Sequence, residues 1–126
     1  MPSLGTDIID QLAAAKTYRV EKPWGEEVII EAQDFILKLI TVREHQRTSL
    51  QHHEIKREVT VVVSGRGGVR GEELALSGIV RPSMPVVVEP GTIHRTVGPC
   101  LMIEVTTPEN WDVVRHEDDY GRAEQE

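Results

Sequence analysis

The stretch that decides the fold is residues 58–70, Glu-Val-Thr-Val-Val-Val-Ser-Gly-Arg-Gly-Gly-Val-Arg. Its Val- and Thr-rich first half is typical of a β-strand, because branched side chains pack well on a pleated surface. The glycines at Gly65, Gly67 and Gly68 predict a tight turn directly after it. The stretch therefore predicts two strands joined by a short connection.

Segments of the same character lie on both sides of this pair. Almost no helical period separates them, and Glu89-Pro90-Gly91-Thr92 provides a second strong turn. Short strands at close spacing favour an antiparallel sandwich or barrel over a parallel α/β sheet, so the expected class is all-β. The predicted strands are Glu27–Ala32, Phe35–Val42, Val59–Ser64, Gly68–Arg70, Val86–Val88, His94–Val97 and Leu101–Thr106.

A single short helix is predicted ahead of the strands. Apolar residues recur at helical spacing within Asp7–Lys16, and Asp7 suits an N-terminal position where its carboxylate accepts backbone N–H bonds. A chain of 126 residues can bury one core. We therefore expect a helical lead-in over residues 1–21, one β-barrel domain over 22–122 and a disordered tail over 123–126.

Composition and charge argue against several classes of function. Lys and Arg number 14 against 21 Asp and Glu, a net charge of −7, so we expect no nucleic-acid surface. Apolar runs such as Val86–Val88 are far shorter than a membrane span. The lone Cys100 cannot form an internal disulfide and predicts a reducing compartment, the cytoplasm. An anionic small substrate fits this charge only if Arg or Lys side chains gather at the pocket.

Potential metal ligands cluster just before the Val-rich strand. Gln51 and His53 are two residues apart, so on a strand both point the same way while His52 points the opposite way. Glu58 follows after a turn-length interval, and His94 closes the Pro-Gly-Thr-Ile-His segment. These residues form a candidate site of mixed nitrogen and oxygen ligands.

Six motifs occur together in this chain: Lys22-Pro23-Trp24-Gly25, Ser49-Leu50-Gln51 with His53, Glu58 followed by Gly65, Pro90-Gly91-Thr92-Ile93-His94-Arg95, Ile103-Glu104-Val105 and Asp118-Asp119-Tyr120-Gly121-Arg122. In this combination the sequence resembles the cupins, and among them the mannose-6-phosphate isomerase type II group. The resemblance implies a small double-stranded β-helix (jelly-roll) barrel with one divalent metal ion held by Gln51, His53, Glu58 and His94. The group is often fused behind a nucleotidyltransferase domain that this chain lacks, so we expect no nucleotidyl transfer.

The resemblance also implies an activity, the isomerisation or epimerisation of a sugar or sugar phosphate of the mannose-6-phosphate and fructose-6-phosphate type. The ligand set accepts Zn²⁺, Mn²⁺, Fe²⁺ or Ni²⁺, and Zn²⁺ is expected by analogy. The metal would stabilise negative charge on the sugar while Glu104 carries a proton between carbons. Lys38 or Arg95 would steady the charged intermediate, and Arg122 or Lys22 would hold a phosphate.

Two other functions stay open. A non-catalytic sugar-binding or regulatory module would have Glu104 and Lys38 paired away from the cavity. An Fe²⁺ dioxygenase would use the same barrel, although Gln51 in place of a third histidine argues against it. Because the exposed edges of a small sandwich need cover, we also expect a homodimer formed through edge strands.

Overall fold

The structure is a computed structural model that describes residues 4–71 and 84–125. Within these residues the chain forms one α-helix, ten β-strands and one 3-10 helix. In chain order they are α1 (Leu4–Ala13), β1 (Lys16–Lys22), β2 (Gly25–Glu31), β3 (Ile36–Val42), β4 (Leu50–His52), β5 (Glu58–Gly65), β6 (Gly68–Arg70), β7 (Pro85–Val88), β8 (Arg95–Val97), β9 (Cys100–Thr106), β10 (Val114–Glu117) and the 3-10 helix (Arg122–Gln125).

Two walls of antiparallel strands enclose the interior. The larger wall is a six-stranded sheet in the order β1-β2-β3-β9-β5-β7. The smaller wall consists of two short sheets, β10-β4 and β6-β8, which backbone bridges at Gln51–His94 and Arg47–Val97 connect. The all-β class predicted from the sequence is confirmed.

The strict alternation of β3 and β9 sets the inner surface of the larger wall. In both strands every second residue is buried, and the inward residues include charged groups as well as aliphatic ones. Lys38 of β3 lies directly beside Glu104 of β9, which in turn pairs with Thr60 of β5. One end of the barrel is therefore polar inside. The other end is filled by the apolar core, which comprises Trp24, Ile40, Val42, Val62, Val69, Val86, Val88, Cys100 and Met102.

The turn between β5 and β6 is formed by the glycines that the sequence singles out. Gly65 has a φ of 101°, a left-handed conformation that favours glycine. A Cβ atom there would lie 2.3 Å from the carbonyl oxygen of Pro99, so the close approach of the backbone just before β9 also requires glycine.

Three strands and both chain ends differ from the sequence prediction. The strands β1, β4 and β10 were not predicted. Charged residues dominate β1 and make up half of β10, and β4 has only three residues, of which one is apolar. The helix begins three residues earlier than expected and ends at Ala13. Residues 122–125 form a 3-10 helix where a disordered tail was expected. In the described part of the chain, no helix has the length and hydropathy that a bilayer crossing requires.

Candidate metal centre and substrate cavity

A cavity of about 340 Å³ lies between the two walls at the polar end of the barrel. Residues of both walls line it, together with the loops after β4 and β9. The residues that the sequence marked as candidates and that line this cavity are Lys22, Lys38, Gln51, His53, Glu58, His94, Glu104 and Arg122.

Three of them come together as a cluster of potential metal ligands. One ligand atom each from His53, Glu58 and His94 lies within 4.8 Å of the others, and all three side chains are buried. Glu58 Oε1 is 2.5 Å from His53 Nε2 and 3.5 Å from His94 Nε2. The carboxylate therefore stands between the two imidazoles.

Backbone contacts fix the histidine rings. His53 Nδ1 lies 2.6 Å from the carbonyl oxygen of Asp112, and His94 Nδ1 lies 2.9 Å from that of Thr92. A carbonyl oxygen only accepts hydrogen bonds, so each Nδ1 carries a proton and donates it. In the neutral rings each Nε2 is then a bare lone pair that points into the cluster.

This arrangement fits a bound cation. The buried His53 Nε2 has no hydrogen-bond donor, and it faces the Glu58 oxygen at 2.5 Å. Two acceptors at that separation repel each other unless a positive charge, either a proton or a metal ion, lies beside both. Two imidazole nitrogens and a carboxylate oxygen are a donor set that suits a divalent transition metal, and the bonded Nδ1 atoms supply the outer contacts typical of such sites.

Gln51 lies beside this cluster, and its side chain is hydrogen-bonded to Ser49. Its backbone exchanges two hydrogen bonds with His94, with N···O distances of 2.9 and 2.8 Å. Its side-chain Oε1 accepts a hydrogen bond of 2.6 Å from Ser49 Oγ, which leaves one lone pair for a fourth ligand bond. His52 points out of the cavity as strand alternation predicts, and there it contacts His116 at 2.7 Å.

The candidate proton carrier Glu104 is buried next to the cluster. Burial raises the pKa of its carboxyl well above the usual value, and the charge of Glu58 raises it further. Burial also acts to raise the pKa of Glu58, but contacts with His53, His94 and Glu104 outweigh it and hold that pKa well below the usual range. Of these two carboxyl groups, a proton therefore binds to Glu104 in preference to Glu58.

Two residues that sequence reasoning missed organise the same region. The buried carboxylate of Asp112 accepts hydrogen bonds from the backbone amides of Glu54, Ile55 and Lys56, at 3.0, 2.6 and 2.8 Å. Lys56 itself is buried and lines the cavity. Among the described residues no carboxylate lies within 4.0 Å of its ammonium group.

Of the two remaining candidates, both buried, one lines the cavity and the other does not. Lys38 lines the cavity and pairs with Glu27 at 3.6 Å. Arg95 does not line it: its guanidinium donates to the Thr48 carbonyl at 3.2 Å and lies 3.8 Å from Glu117. Since neighbouring residues on a strand point to opposite sides, an inward His94 turns Arg95 to the other face of the wall, where it is buried. The expected catalytic role of Arg95 therefore has no support from its position.

A group of cationic side chains lines another part of the cavity. Its members are Lys22, Arg115 and Arg122. Burial lowers the pKa of Lys22. The charge of Glu27 acts to raise that pKa, and the charges of Lys38, Arg122 and Arg115 lower it further. The buried carboxylate of Asp118 holds Arg122 in place through bonds of 2.9 and 3.0 Å to its guanidinium. Cations that repel one another across a cavity favour the binding of an anion between them.

Comparison with known proteins identifies the family. The family model described as "Mannose-6-phosphate isomerase C-terminal" matches residues 10–125. The chain belongs to this family. Its membership in the mannose-6-phosphate isomerase C-terminal family confirms the resemblance inferred from the sequence motifs.

Two relatives of known name share the domain. Xanthan biosynthesis protein XanB of Xanthomonas campestris pv. campestris is 36% identical over 114 residues, which cover 83% of this chain and 24% of XanB. Mannose-1-phosphate guanylyltransferase of Escherichia coli is 28% identical over 114 residues, covering 82% of this chain and 23% of that protein. The chain thus spans about a quarter of the length of these relatives.

A solved structure confirms the fold. An uncharacterised protein with a double-stranded β-helix domain from Klebsiella pneumoniae superposes with a TM-score of 0.60 at 16% identity, covering 94% of this chain and 90% of the other. The mannose-6-phosphate isomerase C-terminal domain described here is therefore a double-stranded β-helix, as the sequence resemblance implied.

Proposed function

We propose that the chain is a metal-dependent isomerase or epimerase of a sugar phosphate. The observation that supports this most directly is the pairing of a His53, Glu58 and His94 cluster with a cationic group in one cavity. A phosphorylated sugar carries both features that such a cavity recognises, an anionic end and neighbouring oxygens that can bind a metal.

The proposed ion is held by His53, Glu58 and His94, with Gln51 as the fourth ligand and Zn²⁺ as the first metal to test. When bound, it would stabilise negative charge that develops on the sugar oxygens. Among the described residues the cavity is lined by five cationic side chains and three carboxylates, so it is more basic than a chain of net charge −7 would suggest. This local balance favours an anionic substrate.

The chain's own residues then have distinct roles. Glu104 is the cavity carboxyl next to the ligand Glu58, where it can transfer a proton to or from a sugar carbon. Lys56 replaces Arg95 as the cation that steadies developing charge, because it is buried, lines the cavity, exerts its charge on Glu104 and has its backbone amide held by Asp112. Lys22 and Arg122 hold the phosphate, and Arg115 lines the same region.

The first experiment compares metal content in two double variants. Elemental mass spectrometry on untagged protein should give about one metal ion per chain, lost in His53→Ala/His94→Ala and kept in His52→Ala/His116→Ala. The second pair is a matched control, since these histidines contact each other outside the cavity. Equal metal content in both variants would contradict the proposed site.

The second experiment tests the reaction. Metal-loaded protein in deuterated water should exchange the proton at C2 of mannose 6-phosphate, or a proton at C1 of fructose 6-phosphate, as measured by NMR. Binding of the sugar without exchange would favour the sugar-binding module. Oxygen uptake would favour the Fe²⁺ dioxygenase.

A further inference from the structure

Arginines gather on the outer face of the smaller wall. Thr96 of β8 lines the cavity of the candidate metal centre, so its neighbours Arg95 and Val97 face the other way. Arg70 of β6 lies directly opposite Arg95, and Arg47 bridges to Val97. Residues that lie opposite each other on paired strands share a face, so Arg47, Arg70 and Arg95 are on the same side of this wall.

A second cavity, of about 440 Å³, opens on this face. Its lining includes the side chains of Arg47, Arg66 and Arg70, and we call it the arginine cavity. Asp119 accepts two hydrogen bonds from Arg47, of 2.8 and 2.9 Å, and Glu44 accepts one of 3.0 Å from Arg66. The two carboxylates orient these guanidinium groups. Because a guanidinium group has five N–H donors, each keeps donors for a ligand.

The positive charge on this face is incompletely neutralised. In the described ranges no carboxylate lies within 4.0 Å of the Arg70 guanidinium group. Arg95 is 8% exposed, and its buried Nη2 has no hydrogen-bond partner among the described residues. Burial lowers the pKa of Arg95, and the charge of Arg47 lowers it further, against the charges of Asp119 and Glu117. Like charges on directly opposite residues destabilise a sheet, and a buried donor without an acceptor costs free energy. A bound anion would remove both costs.

We propose that the arginine cavity is a second binding site, separate from the metal centre, for a diphosphate group. The planar fork of a guanidinium group matches two phosphate oxygens at once. Arg70 and Arg95 lie opposite each other at roughly 5 Å between Cβ atoms, so one phosphoryl group can bridge them. Arg47 is the diagonal neighbour of Arg95, at roughly 7–8 Å, which suits a second phosphoryl group joined to the first. Both inorganic pyrophosphate and a nucleoside diphosphate carry this group.

The test follows ligand binding by two-dimensional NMR, because separate backbone amide signals distinguish the two cavities. At physiological ionic strength, pyrophosphate should shift the amide signals of Val97 and Gly98, which line the arginine cavity, and the shifts should saturate. Inorganic phosphate should bind there at least about tenfold more weakly, since it can engage fewer of the arginines. Titration with ADP then identifies the source of the group: tighter binding than pyrophosphate indicates a nucleotide and equal or weaker binding indicates the inorganic ion, and either result supports a diphosphate site.

Variants of the exposed Arg70 separate a specific site from general attraction of anions. Arg70→Gln should weaken pyrophosphate binding about tenfold or more, and Arg70→Lys, which keeps the charge without the fork, should weaken it less. Arg19→Gln is the matched control, because it makes the same change in net charge at an exposed arginine that pairs with Glu26. It should leave the affinity unchanged. Without ligand, the melting temperature of Arg70→Gln should not fall, since the substitution removes repulsion from Arg95.

Three results would each overturn the proposal. One is the absence of a saturable shift at Val97 and Gly98. Another is a shift confined to residues that line the metal-centre cavity, such as Asn110 and Val113. The third is an equal loss of affinity in Arg70→Gln and Arg19→Gln. None of these measurements involves a metal ion or turnover of a sugar, so their outcome is independent of the proposed isomerase activity.

Discussion

Removal of the Asp112 carboxylate should destabilise the loop between β4 and β5. Alanine at this position eliminates three hydrogen bonds to a charged acceptor, each worth roughly 1.5–3 kcal/mol when fully buried. Glu54 and Ile55 are exposed, so water can replace the carboxylate at their amides, whereas the buried Lys56 amide loses its partner. We expect the free energy of unfolding to fall by about 3 kcal/mol and the melting temperature by about 10 °C.

The same change should weaken metal binding. The backbone carbonyl of Asp112 accepts the His53 Nδ1 proton, so a shift of this segment misdirects one proposed ligand. Loss of such an outer contact typically lowers metal affinity about 10- to 100-fold. Urea denaturation followed by circular dichroism measures the stability, and competition with a chromophoric chelator measures the affinity.

Two further variants calibrate this prediction. Asp112→Asn keeps one acceptor oxygen and should cost only about 1 kcal/mol. Asp119→Ala breaks an exposed ion pair with Arg47 at 2.8 Å and should cost less than about 1 kcal/mol. If Asp112→Ala loses no more stability than Asp119→Ala and binds metal as tightly as the wild type, the role assigned to Asp112 is wrong.

Three other outcomes are expected. Burial raises the pKa of the Cys100 thiol to about 11, so iodoacetamide at pH 8 should modify the native protein about 100-fold more slowly than the urea-unfolded chain, as followed by mass spectrometry. Hydrogen bonds from Arg122 lower the pKa of Asp118, so its stabilisation is present above the unfolded-state pKa of about 3.9 and disappears as the pH falls through the lower folded-state pKa. Urea midpoints of the wild type and Asp118→Asn should accordingly differ at pH 7 and converge towards pH 3. Lys56→Met should lower kcat for C2 proton exchange about 100-fold with little change in KM, whereas Arg122→Met should raise KM, and initial rates by NMR distinguish the two.

The central strands were predictable from the sequence because branched apolar residues dominate them and turn residues bound them. In β5 the valines and threonine form an uninterrupted branched run, and the glycines after it mark the turn. In β1 only Tyr18 and Val20 are apolar, and β10 has two charged residues among four. Their strand conformation depends on pairing with β2 and β4, which no local pattern reveals.

The ligand cluster was predictable for a related reason. His53, Glu58 and His94 lie in sequence motifs that match the family's metal-ligand positions. The structure places the three side chains together. Asp112 is 59 residues from His53 along the chain, and nothing in its own neighbourhood indicates that contact. The position of Arg95 could have been anticipated, since strand alternation turns it away from any cavity that His94 faces.

The reciprocal backbone bonds between Gln51 and His94 have a consequence for how the protein would acquire its ion. Two proposed ligand positions are held together by the main chain, so these two would keep their relative placement without an ion. Zinc fingers behave in the opposite way, because they fold only when the metal binds. Here a chelator should strip the site and leave the barrel folded, and the metal that occupies it would follow cellular supply.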